Sequence, residues 1–578
     1  MQSYIVRATP GSLPAVAVKV ADLDGRVTSN LDLINAVVGE LSVDAVAALR
    51  RDRRVAEVTP DSKVHLLTGG LLGDVGGGLV GTVGGVVDAL ATVLSPADAW
   101  TPAGGSTADP TADPNSLYNI EKSIGARKLW SSGYTGAGID VALLDSGIAP
   151  VAGLSAPGKI VNGPDLTPES QRVETRYLDT YGHGTHMAGI IAGRDDGVNP
   201  AASVNNPAPF LGVAPGARIL SVKVADAHGA TDVSQVIAGI AWIVQHARDP
   251  GFNVRVLNLS FGTDSTQSYL YDPLAYAAEV AWRKGIVVVT AAGNSGVAHG
   301  RLTDPAIDPF VLAVGAADTS TADTKVPIWS SRGDGVRNPD FVAPGMRVPS
   351  LRVPGSYVDQ LYGGTPAAGE RFMRGSGTSQ AAALTSGAVA LLLQQRPSLT
   401  PDQVKSRLKS VALPILNETA RAQGSGKISL GGTTSLLSPL GWPQAHPPSI
   451  GSGSLERARG TNHLSLDGVQ LAGEIDMFGQ PFNAASMAAL QSAGKSWTGG
   501  TWNGSLWTGE GMAAAGWSTP VWTGRTWAGD SWTGRTWADG HWNGRTWADT
   551  HWTGDSWTGF GWSGRTWGGA GWEGTPGS

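Results

Sequence analysis

Short apolar runs separated by amphipathic segments restrict the fold of this chain more than any other feature of its sequence. Between residues 116 and 437 the runs GIDVALLD, RILSVKVA, VRVLNLS, GIVVVTAAG and FVLAVGAA are almost continuously apolar, as in strands that are covered on both faces. Between several of them lie segments with helical spacing, such as DVSQVIAGIAWIVQHARD and DPLAYAAEVAWRKG. This alternation predicts an α/β domain, a parallel sheet with helices on both faces and a functional site at the carboxyl ends of the strands.

The rest of the chain divides into segments of different composition. Its 578 residues exceed what one ordinary core holds. Near the N-terminus, strand-like runs (YIVRA, AVAVKV and RVAEVTPDSKVHLL) alternate with helix-like ones (NLDLINAVVGEL and SVDAVAALRRD), which predicts a small α+β domain. The predicted organisation is an α+β domain over 1–67, a Gly/Pro/Ser-rich linker over 68–115, the α/β domain over 116–437, a linker with a short structured piece over 438–496, and a tryptophan repeat over 497–578.

Charge and cysteine content exclude several kinds of function. The net charge is −6 and no long basic run is present, so we predict no nucleic-acid partner. The absence of cysteine excludes disulfides, a thiol nucleophile and thiolate metal sites. Residues 66–94 are apolar but contain nine glycines as well as Asp74 and Asp88, so we predict no membrane span there. The N-terminus lacks the charged region and unbroken apolar run of a signal peptide.

Three motifs place chemically useful side chains at strand or helix ends. Asp145 closes the first apolar run in LLDSGI, His183 and His186 open a helix in GHGTHMAG, and Ser379 opens a long apolar helix in GSGTSQAA. Taken singly, each motif has another interpretation, namely a turn residue, a metal-binding H-x-x-H pair and a helix N-cap. The metal interpretation of the histidines is the weaker one, because no third ligand is signalled nearby.

Together the three motifs resemble those of the subtilisin-like serine proteases, whose order along the chain is also Asp, His, Ser. The resemblance implies the parallel-sheet fold of that family. It also implies that Ser379 is the nucleophile, that His183 is its general base and then general acid, and that Asp145 orients the imidazole. His186 would then be structural. Asn294, in TAAGNSG, matches the family's oxyanion-hole asparagine, with the backbone N–H of Ser379 as the partner donor.

The same resemblance locates a substrate cleft. The strand in VLNLSFG matches the strand that pairs with bound peptide in the family, and main-chain pairing of this kind is indifferent to peptide sequence. Six residues are expected to line the pocket for the residue before the scissile bond (the P1 residue): on one wall Ser260, Phe261 and Gly262, and on the other Ala291, Ala292 and Gly293. The expected partners are therefore protein or peptide substrates, cleaved with broad specificity. The alternatives are a precursor-processing protease of narrow specificity and a binding or adhesion protein on an inactive protease scaffold.

The resemblance also bears on activation, metal and location. Residues 1–67 resemble the inhibitor-type propeptide of the family, which implies a zymogen that its own propeptide inhibits and that cleaves itself in the following linker. No cofactor is required and no metal ligand is predicted; calcium, common in the family, is left open because residues 194–209 show no assignable ligand spacing. A secreted or cell-surface protein is implied, with an intracellular protein as the alternative. Relatives often continue the serine motif as GTSMASP, whereas Gln380 and three alanines follow Ser379 here.

Tryptophan recurs every five residues near the C-terminus. It stands at 497, 502 and 507 and at every fifth position from 517 to 572, with Met512 in the one gap. The glycine density argues against a long helix, and an odd period would turn successive rings to opposite faces of a flat strand. A compact β-rich repeat and a flexible low-complexity tail both fit this pattern. Aromatic rings beside small polar residues suit a glycan or cell-wall surface, which is the candidate partner of this segment.

Overall fold

The chain folds as two units, residues 1–78 and residues 79–578. The computed structural model describes residues 2–9, 12–23, 25–31, 36–60, 100–102, 109–297, 300–321, 323–362, 371–432, 443–466 and 469–507. Most of the predicted linker over 68–115 and the tryptophan repeat from residue 508 onward lie outside these residues. Among the helices of the described part, none combines the length and apolarity that crossing a membrane requires.

The N-terminal unit is a four-stranded antiparallel sheet with two helices. Its strand order is β2-β3-β1-β4. Its elements are β1 (Gln2–Ala8), α1 (Leu13–Asp22), β2 (Arg26–Leu31), β3 (Ala36–Leu41), α2 (Val43–Leu49) and β4 (Val55–Pro60). Val6, Val16, Val20, Val37 and Leu49 are fully buried in one core, so the unit has its own α+β architecture.

Two local predictions in this unit are wrong. AVAVKV, predicted as a strand, lies in α1, where Val16 and Val20 are buried one helical turn apart and Pro14 stands in the first turn, a position that accepts proline. NLDLINAVVGEL, predicted as a helix, includes the whole of β3. This strand lies between β1 and β2, so that sheet pairing on both of its edges overrides the local helical spacing.

The second unit is built on a seven-stranded sheet in which every neighbouring pair is parallel, in the order β12-β11-β10-β9-β6-β8-β7. Its strands up to the serine motif are β5 (Trp100–Pro102), β6 (Asp140–Asp145), β7 (Ile160–Asp165), β8 (Arg218–Lys223), β9 (Val254–Leu259), β10 (Val287–Ala291), β11 (Leu312–Ala317), β12 (Phe341–Pro344), β13 (Val348–Leu351) and β14 (Phe372–Gly375). All five apolar runs from which the sheet was predicted form strands in it, and the parallel α/β prediction is confirmed.

Helices cover the sheet and carry capping residues where the sequence changes from loop to helix. They are α3 (Leu117–Ile124), α4 (Ala126–Ser131), α5 (His183–Ala192), α6 (Val233–His246), α7 (Pro273–Arg283), α8 (Tyr357–Tyr362), α9 (Thr378–Gln395), α10 (Pro401–Val411) and α11 (Ala420–Gln423). Asp232 caps α6 in a capping box with Gln235, and Asp272 caps α7 ahead of a first-turn proline. Helix α9 packs against β9 to β12 and is buried over its first sixteen residues, which explains its apolarity on all sides.

A second, three-stranded sheet has the order β13-β14-β5. Strands β13 and β14 are antiparallel, and β5, which lies ahead of the α/β domain in sequence, pairs antiparallel with β14 through Trp100 and Gly375. Gly375 lies four residues before Ser379. The chain that enters the α/β domain therefore runs along the strand that leads into the serine motif.

The segment after residue 442 differs from the linker that was predicted over 438–496. It contains α12 (Leu455–Arg459), β15 (Ser465–Leu466), β16 (Val469–Gln470), α13 (Ala484–Ser492), β17 (Trp497–Thr498), β18 (Thr501–Trp502) and β19 (Ser505–Leu506). Its apolar side chains belong to the same core as the parallel sheet, with Trp502 fully buried beside Phe478 and Phe482. The indole N–H of Trp497 donates to the carbonyl of Ala238 in α6 at 2.9 Å. The sequence concealed this because the contacts are long-range and the apolar residues are too sparse to form a periodic pattern.

Candidate active site

The carboxyl ends of neighbouring parallel strands carry the predicted site residues. Asp145 is the last residue of β6, Ser260 directly follows β9, and Asn294 comes three residues after β10. These three strands are adjacent in the sheet, so their ends meet at one edge. His183 and Ser379 come to the same edge from the first turns of α5 and α9, since the one contacts Asp145 and the other contacts Ser260.

Asp145 and His183 form the best-defined contact of the site. Nδ1 of His183 lies 2.7 Å from Oδ1 of Asp145, which also accepts from the backbone N–H of Ser146 at 2.8 Å. A carboxylate on Nδ1 fixes the ring so that Nε2 is the nitrogen available for proton transfer. Close packing requires glycine next to His183: a Cβ on Gly184 would lie 2.2 Å from the carbonyl oxygen of Gly147.

A second buried carboxylate, Asp179, joins the Asp145 and His183 segments. Its Oδ1 accepts from the hydroxyl of Ser146 at 2.8 Å and from the N–H of Gly182 at 2.6 Å, and its Oδ2 accepts from the N–H of Thr185 at 2.7 Å. Asp179 was not among the residues predicted from the sequence. The available signal was a carboxylate four residues before His183, where it meets the free N–H groups of a helix start.

Burial and neighbouring charge set opposite protonation behaviour for the two histidines. Burial lowers the pKa of His183, but the carboxylate of Asp145, assisted by that of Asp179, outweighs burial and leaves the pKa raised above its usual 6.5. His186 is fully buried, and burial, together with the charge of His183, lowers its pKa to about 3. A histidine that stays neutral inside the core fits the structural role expected for His186.

Ser379 occupies the first turn of α9, where the helix dipole is positive. Its hydroxyl donates to the carbonyl of Ser260 at 3.0 Å, and its side chain keeps a narrow opening to solvent, the residue being 9% exposed. The preceding Gly377 donates its N–H to the carbonyl of Gly345 at 2.8 Å. Sheet and helix therefore hold the serine from both sides.

Asn294 is oriented by the residue before the serine. Its Oδ1 accepts from both the backbone N–H of Thr378, at 2.9 Å, and the hydroxyl of Thr378, at 3.0 Å. With its oxygen held in this way, the amide directs Nδ2 to the side of Gly377, where an added Cβ would be only 3.3 Å from that nitrogen. The amide nitrogen of Asn294 therefore lies beside the residues that lead into α9.

A cavity of about 180 Å³ lies beside His183. One side is formed by the loop before α6, with Gly229 and Thr231, and the other by Ser260 and Phe261 after β9. Tyr181, which no sequence motif singled out, also lines the cavity, and its ring centroid lies 6.3 Å from that of His183. The cavity therefore lies between the loop before α6 and the end of β9, next to His183.

The predicted P1 walls are only partly placed as expected. Ala291 and Ala292 are buried in the core and present no side chain to the cavity. Gly262 and Gly293 face each other across Thr303, whose side chain would lie 2.6 Å from a Cβ on either glycine. Thr303 therefore fills the gap between the two walls, a role that only the folding of residues 300–304 against β10 could reveal.

The His, Asp and Glu side chains of the described residues are the candidate ligands for a metal ion. Among them, no group of three His, Cys, Asp or Glu side chains is placed to hold an ion. Asp195, an acid in the segment considered for calcium, pairs with Arg371 at 2.7 Å and accepts from the N–H of Phe210 at 2.9 Å. Because its oxygens are already satisfied by cationic and N–H donors, Asp195 does not fit a calcium ligand set.

Part of the chain is similar to known proteins. Residues 136–436 match the model of the subtilase family, Peptidase_S8. The chain is similar to the serine protease AprX of Bacillus subtilis, 35% identical over 51% of this chain and 66% of that protein. It is also similar to the minor extracellular protease Epr of the same organism, 31% identical over 52% of this chain and 38% of Epr, and to subtilisin E, 35% identical over 53% and 68%. The chain thus spans less than two thirds of the length of AprX and of Epr.

Proposed function

The chain belongs to the subtilase family of peptidases, and from this premise we propose that it is a serine endopeptidase that works through an acyl-enzyme. The observation that carries the proposal is the 2.7 Å contact of His183 with Asp145 at the strand edge that also bears Ser379 and Asn294. A fluorophosphonate probe, which reacts with activated serines, should label the protein and should not label Ser379→Ala. A folded wild-type protein that never labels would contradict the proposal.

In the proposed reaction the hydroxyl of Ser379 gives up its bond to the Ser260 carbonyl and attacks the scissile carbonyl carbon. As the new C–O bond forms, Nε2 of His183 takes the hydroxyl proton, and the imidazolium is stabilised by Asp145. Nδ2 of Asn294 and the N–H of Ser379 stabilise the oxyanion. His183 then protonates the leaving amine as the C–N bond breaks, and water, activated by the same histidine, hydrolyses the acyl-enzyme and restores Ser379.

The substrates we propose are extended segments of proteins, cleaved at many sequences. Support comes from the walls of the cavity, where Gly229, Thr231 and Ser260 offer backbone and small side chains to a bound strand. Thr303, between Gly262 and Gly293, favours P1 residues of small or medium size. A denatured protein mixture should show cleavage at many sites with few aromatic P1 residues, whereas cleavage at one or a few sites would favour narrow precursor processing.

We further propose that the protein is a zymogen, with residues 1–67 as its inhibitor. The strand β5 supports a cut upstream of the α/β domain, because it places the incoming chain alongside β14, which leads to Ser379. Ser379→Ala should accumulate at the full 59.5 kDa, whereas the wild type should lose its N-terminal unit. A separate polypeptide of residues 1–67, added to the mature enzyme, should inhibit it. If purified Ser379→Ala protein also loses its N-terminal unit, self-cleavage is excluded.

An extracellular, wall-associated location is the proposal for the whole protein. Its similarity to Epr, an extracellular protease by name, and the absence of cysteine agree with export. The tryptophans at 497 and 502 are buried structural residues, so binding to a cell-wall polysaccharide falls to the repeats after residue 507. Deletion of residues 508–578 should abolish binding to wall polysaccharide. Unchanged binding would contradict the proposal that these repeats attach the protein to the cell wall.

A further inference from the structure

A short part of the C-terminal segment, residues 454–462, contacts both elements that wall the cavity beside His183. We call these residues the C-terminal brace. It begins one residue before α12 and ends just after it. The first wall is the loop before α6, with Gly229 and Thr231, and the second is the chain after β9, with Ser260 and Phe261. The brace contacts Asp232, which directly follows the first wall, and Thr263, which lies two residues after the second.

Arg459 makes the first contact. Its guanidinium is completely buried, and Nε lies 2.7 Å from Oδ2 of Asp232, which is itself fully buried. The remaining N–H groups are fixed by the brace's own neighbourhood, including the carbonyl of Gly473 at 2.7 Å. Asp232 uses its other oxygen to cap α6 through the N–H of Ser234 at 2.9 Å. The ion pair therefore fixes the point where the first wall turns into α6.

Thr263 and Asp264 make the second contact. The hydroxyl of Thr263 donates to the carbonyl of Ala458 at 2.6 Å, within the brace. Asp264 accepts from the N–H of Thr461 at 2.7 Å and from the side chain of Asn462 at 3.1 Å. Gly460 has a φ of +63°, and a Cβ there would lie 2.0 Å from the carboxylate of Asp264, so this approach depends on glycine.

The two contacts share one rigid turn of helix, and this couples the two walls. Arg459, which holds the first wall, and Ala458, which holds the second, are adjacent residues of α12. Neither wall can move outward without breaking a buried ion pair or a buried hydrogen bond. The two walls belong to separate elements, the loop before α6 and the end of the strand β9.

We propose that the C-terminal brace sets the width of the peptide cleft and that Arg459 is its principal positioning residue. This inference rests on the proposed peptidase activity, and it concerns how that site selects substrates. The brace acts on the residues of a substrate that lie between the walls, on the N-terminal side of the scissile bond. It has no contact with Asp145, His183, Asn294 or Ser379 among its hydrogen bonds and ion pairs in the described part of the chain.

The test compares a long and a short substrate in Arg459→Met and Asp264→Ala. The long substrate is a tetrapeptide amide that fills the cleft, and the short one is an ester of a single acylated amino acid, which reaches only the P1 pocket. All rates are normalised to sites titrated with a fluorophosphonate, so that misfolded molecules do not count. We expect KM for the tetrapeptide to rise about tenfold or more, while kcat/KM for the short ester stays within about twofold. Arg459→Lys, which retains the charge, should recover part of the loss.

Arg127→Met is the matched control. Arg127 forms an equally buried pair with Glu121, at 2.9 Å, on the α3–α4 side of the molecule. Arg127→Met should leave the ratio of kcat/KM for the two substrates unchanged, because loss of this pair affects only the stability of the fold. If the ratio of kcat/KM for the tetrapeptide to kcat/KM for the ester stays at the wild-type value in both brace variants, the inference is overturned. The contacts of Asp264 with the brace are solvent-exposed, so Asp264→Ala keeps the test valid even if Arg459→Met does not fold. Wild-type protein that never labels would instead overturn the proposed peptidase activity, and the inference with it.

Discussion

At the scale of single residues, the contact of His183 with Asp145 and the hydrogen bonds of Thr378 with Asn294 set the geometry of the candidate site. Asp145, His183, Asn294 and Ser379 stand in local motifs whose strand or helix ends are visible in the sequence, and the structure brings them to one edge. Thr303 acts only because two distant segments close around it. Its neighbours in space are set by chain topology, which no local pattern encodes.

The amide of Asn294 supplies a first prediction. Asn294→Asp keeps an oxygen for the two donors of Thr378, at 2.9 and 3.0 Å, but removes the Nδ2 donor from the oxyanion side and adds a negative charge there. We expect kcat to fall by about 10²–10³-fold with KM little changed, as found when subtilisin loses its oxyanion-hole asparagine. Steady-state kinetics on a peptide amide measures this. A rise in KM, and the matching fall in kcat/KM, without a change in kcat would assign Asn294 to substrate binding instead.

The raised pKa of His183 supplies a second prediction. The general base must be neutral, so kcat/KM should fall as the pH drops through this pKa, and the acidic limb of the wild-type profile should lie above pH 6.5. Asp179→Asn removes a charge that raises the pKa of His183, so the limb should move to lower pH.

The pH profile of each enzyme, normalised to titrated sites, checks the direction of that shift. The Asn side chain cannot accept at both positions where Asp179 receives N–H groups, from Gly182 and Thr185, so a lower plateau is expected as well. A limb that stays in place while the plateau falls would show that Asp179 acts by geometry alone. A limb that moves to higher pH would contradict the electrostatic argument.

At the scale of elements, the parallel strands were predictable because a strand that is buried on both faces consists almost entirely of consecutive apolar residues. The N-terminal unit shows the opposite case. AVAVKV has a strand-like alternation and yet forms the helix α1, and β3 was hidden in a helix-like window, because these short segments take their state from partners elsewhere in the sheet. The hairpins at 497–506 were equally hidden, since their strands are two residues long.

Trp502 supplies a prediction for these hairpins. It is fully buried against Phe478 and Phe482, so Trp502→Ala should lower the free energy of unfolding by about 3–5 kcal/mol. Leu506, in the next strand, is 56% exposed, and Leu506→Ala should cost less than about 1 kcal/mol. Urea denaturation of both variants in a Ser379→Ala background avoids self-digestion. Equal costs for the two would mean that the hairpins are not packed on the core as the contacts indicate.

At the scale of the whole molecule, the sequence predicted an α/β domain that ends at 437, followed by a linker with a short structured piece and the tryptophan repeat, but the core extends beyond that boundary. Residues 443–507 contribute a buried ion pair, Arg459 with Asp232, and several core side chains to the same core as the parallel sheet. Removing them would expose that core and leave the carboxylate of Asp232 without its cation, which is strongly destabilising for a buried pair. The packed unit therefore extends to Trp507, about 70 residues beyond the predicted domain boundary at 437.

Two truncations test where that boundary lies. A chain that ends at residue 507 should keep the Tm and the fluorophosphonate labelling of the full chain, because every described contact of the C-terminal segment is retained. A chain that ends at residue 442 should lose the Arg459–Asp232 pair and the Trp502 packing together, and it should be recovered mostly as insoluble protein or melt at least 10 °C lower. Thermal unfolding of both in the Ser379→Ala background measures the difference. If the chain ending at 442 melts with the full-length protein, residues 443–507 are an attached module after all, and the linker predicted from composition would describe them better than the packing does.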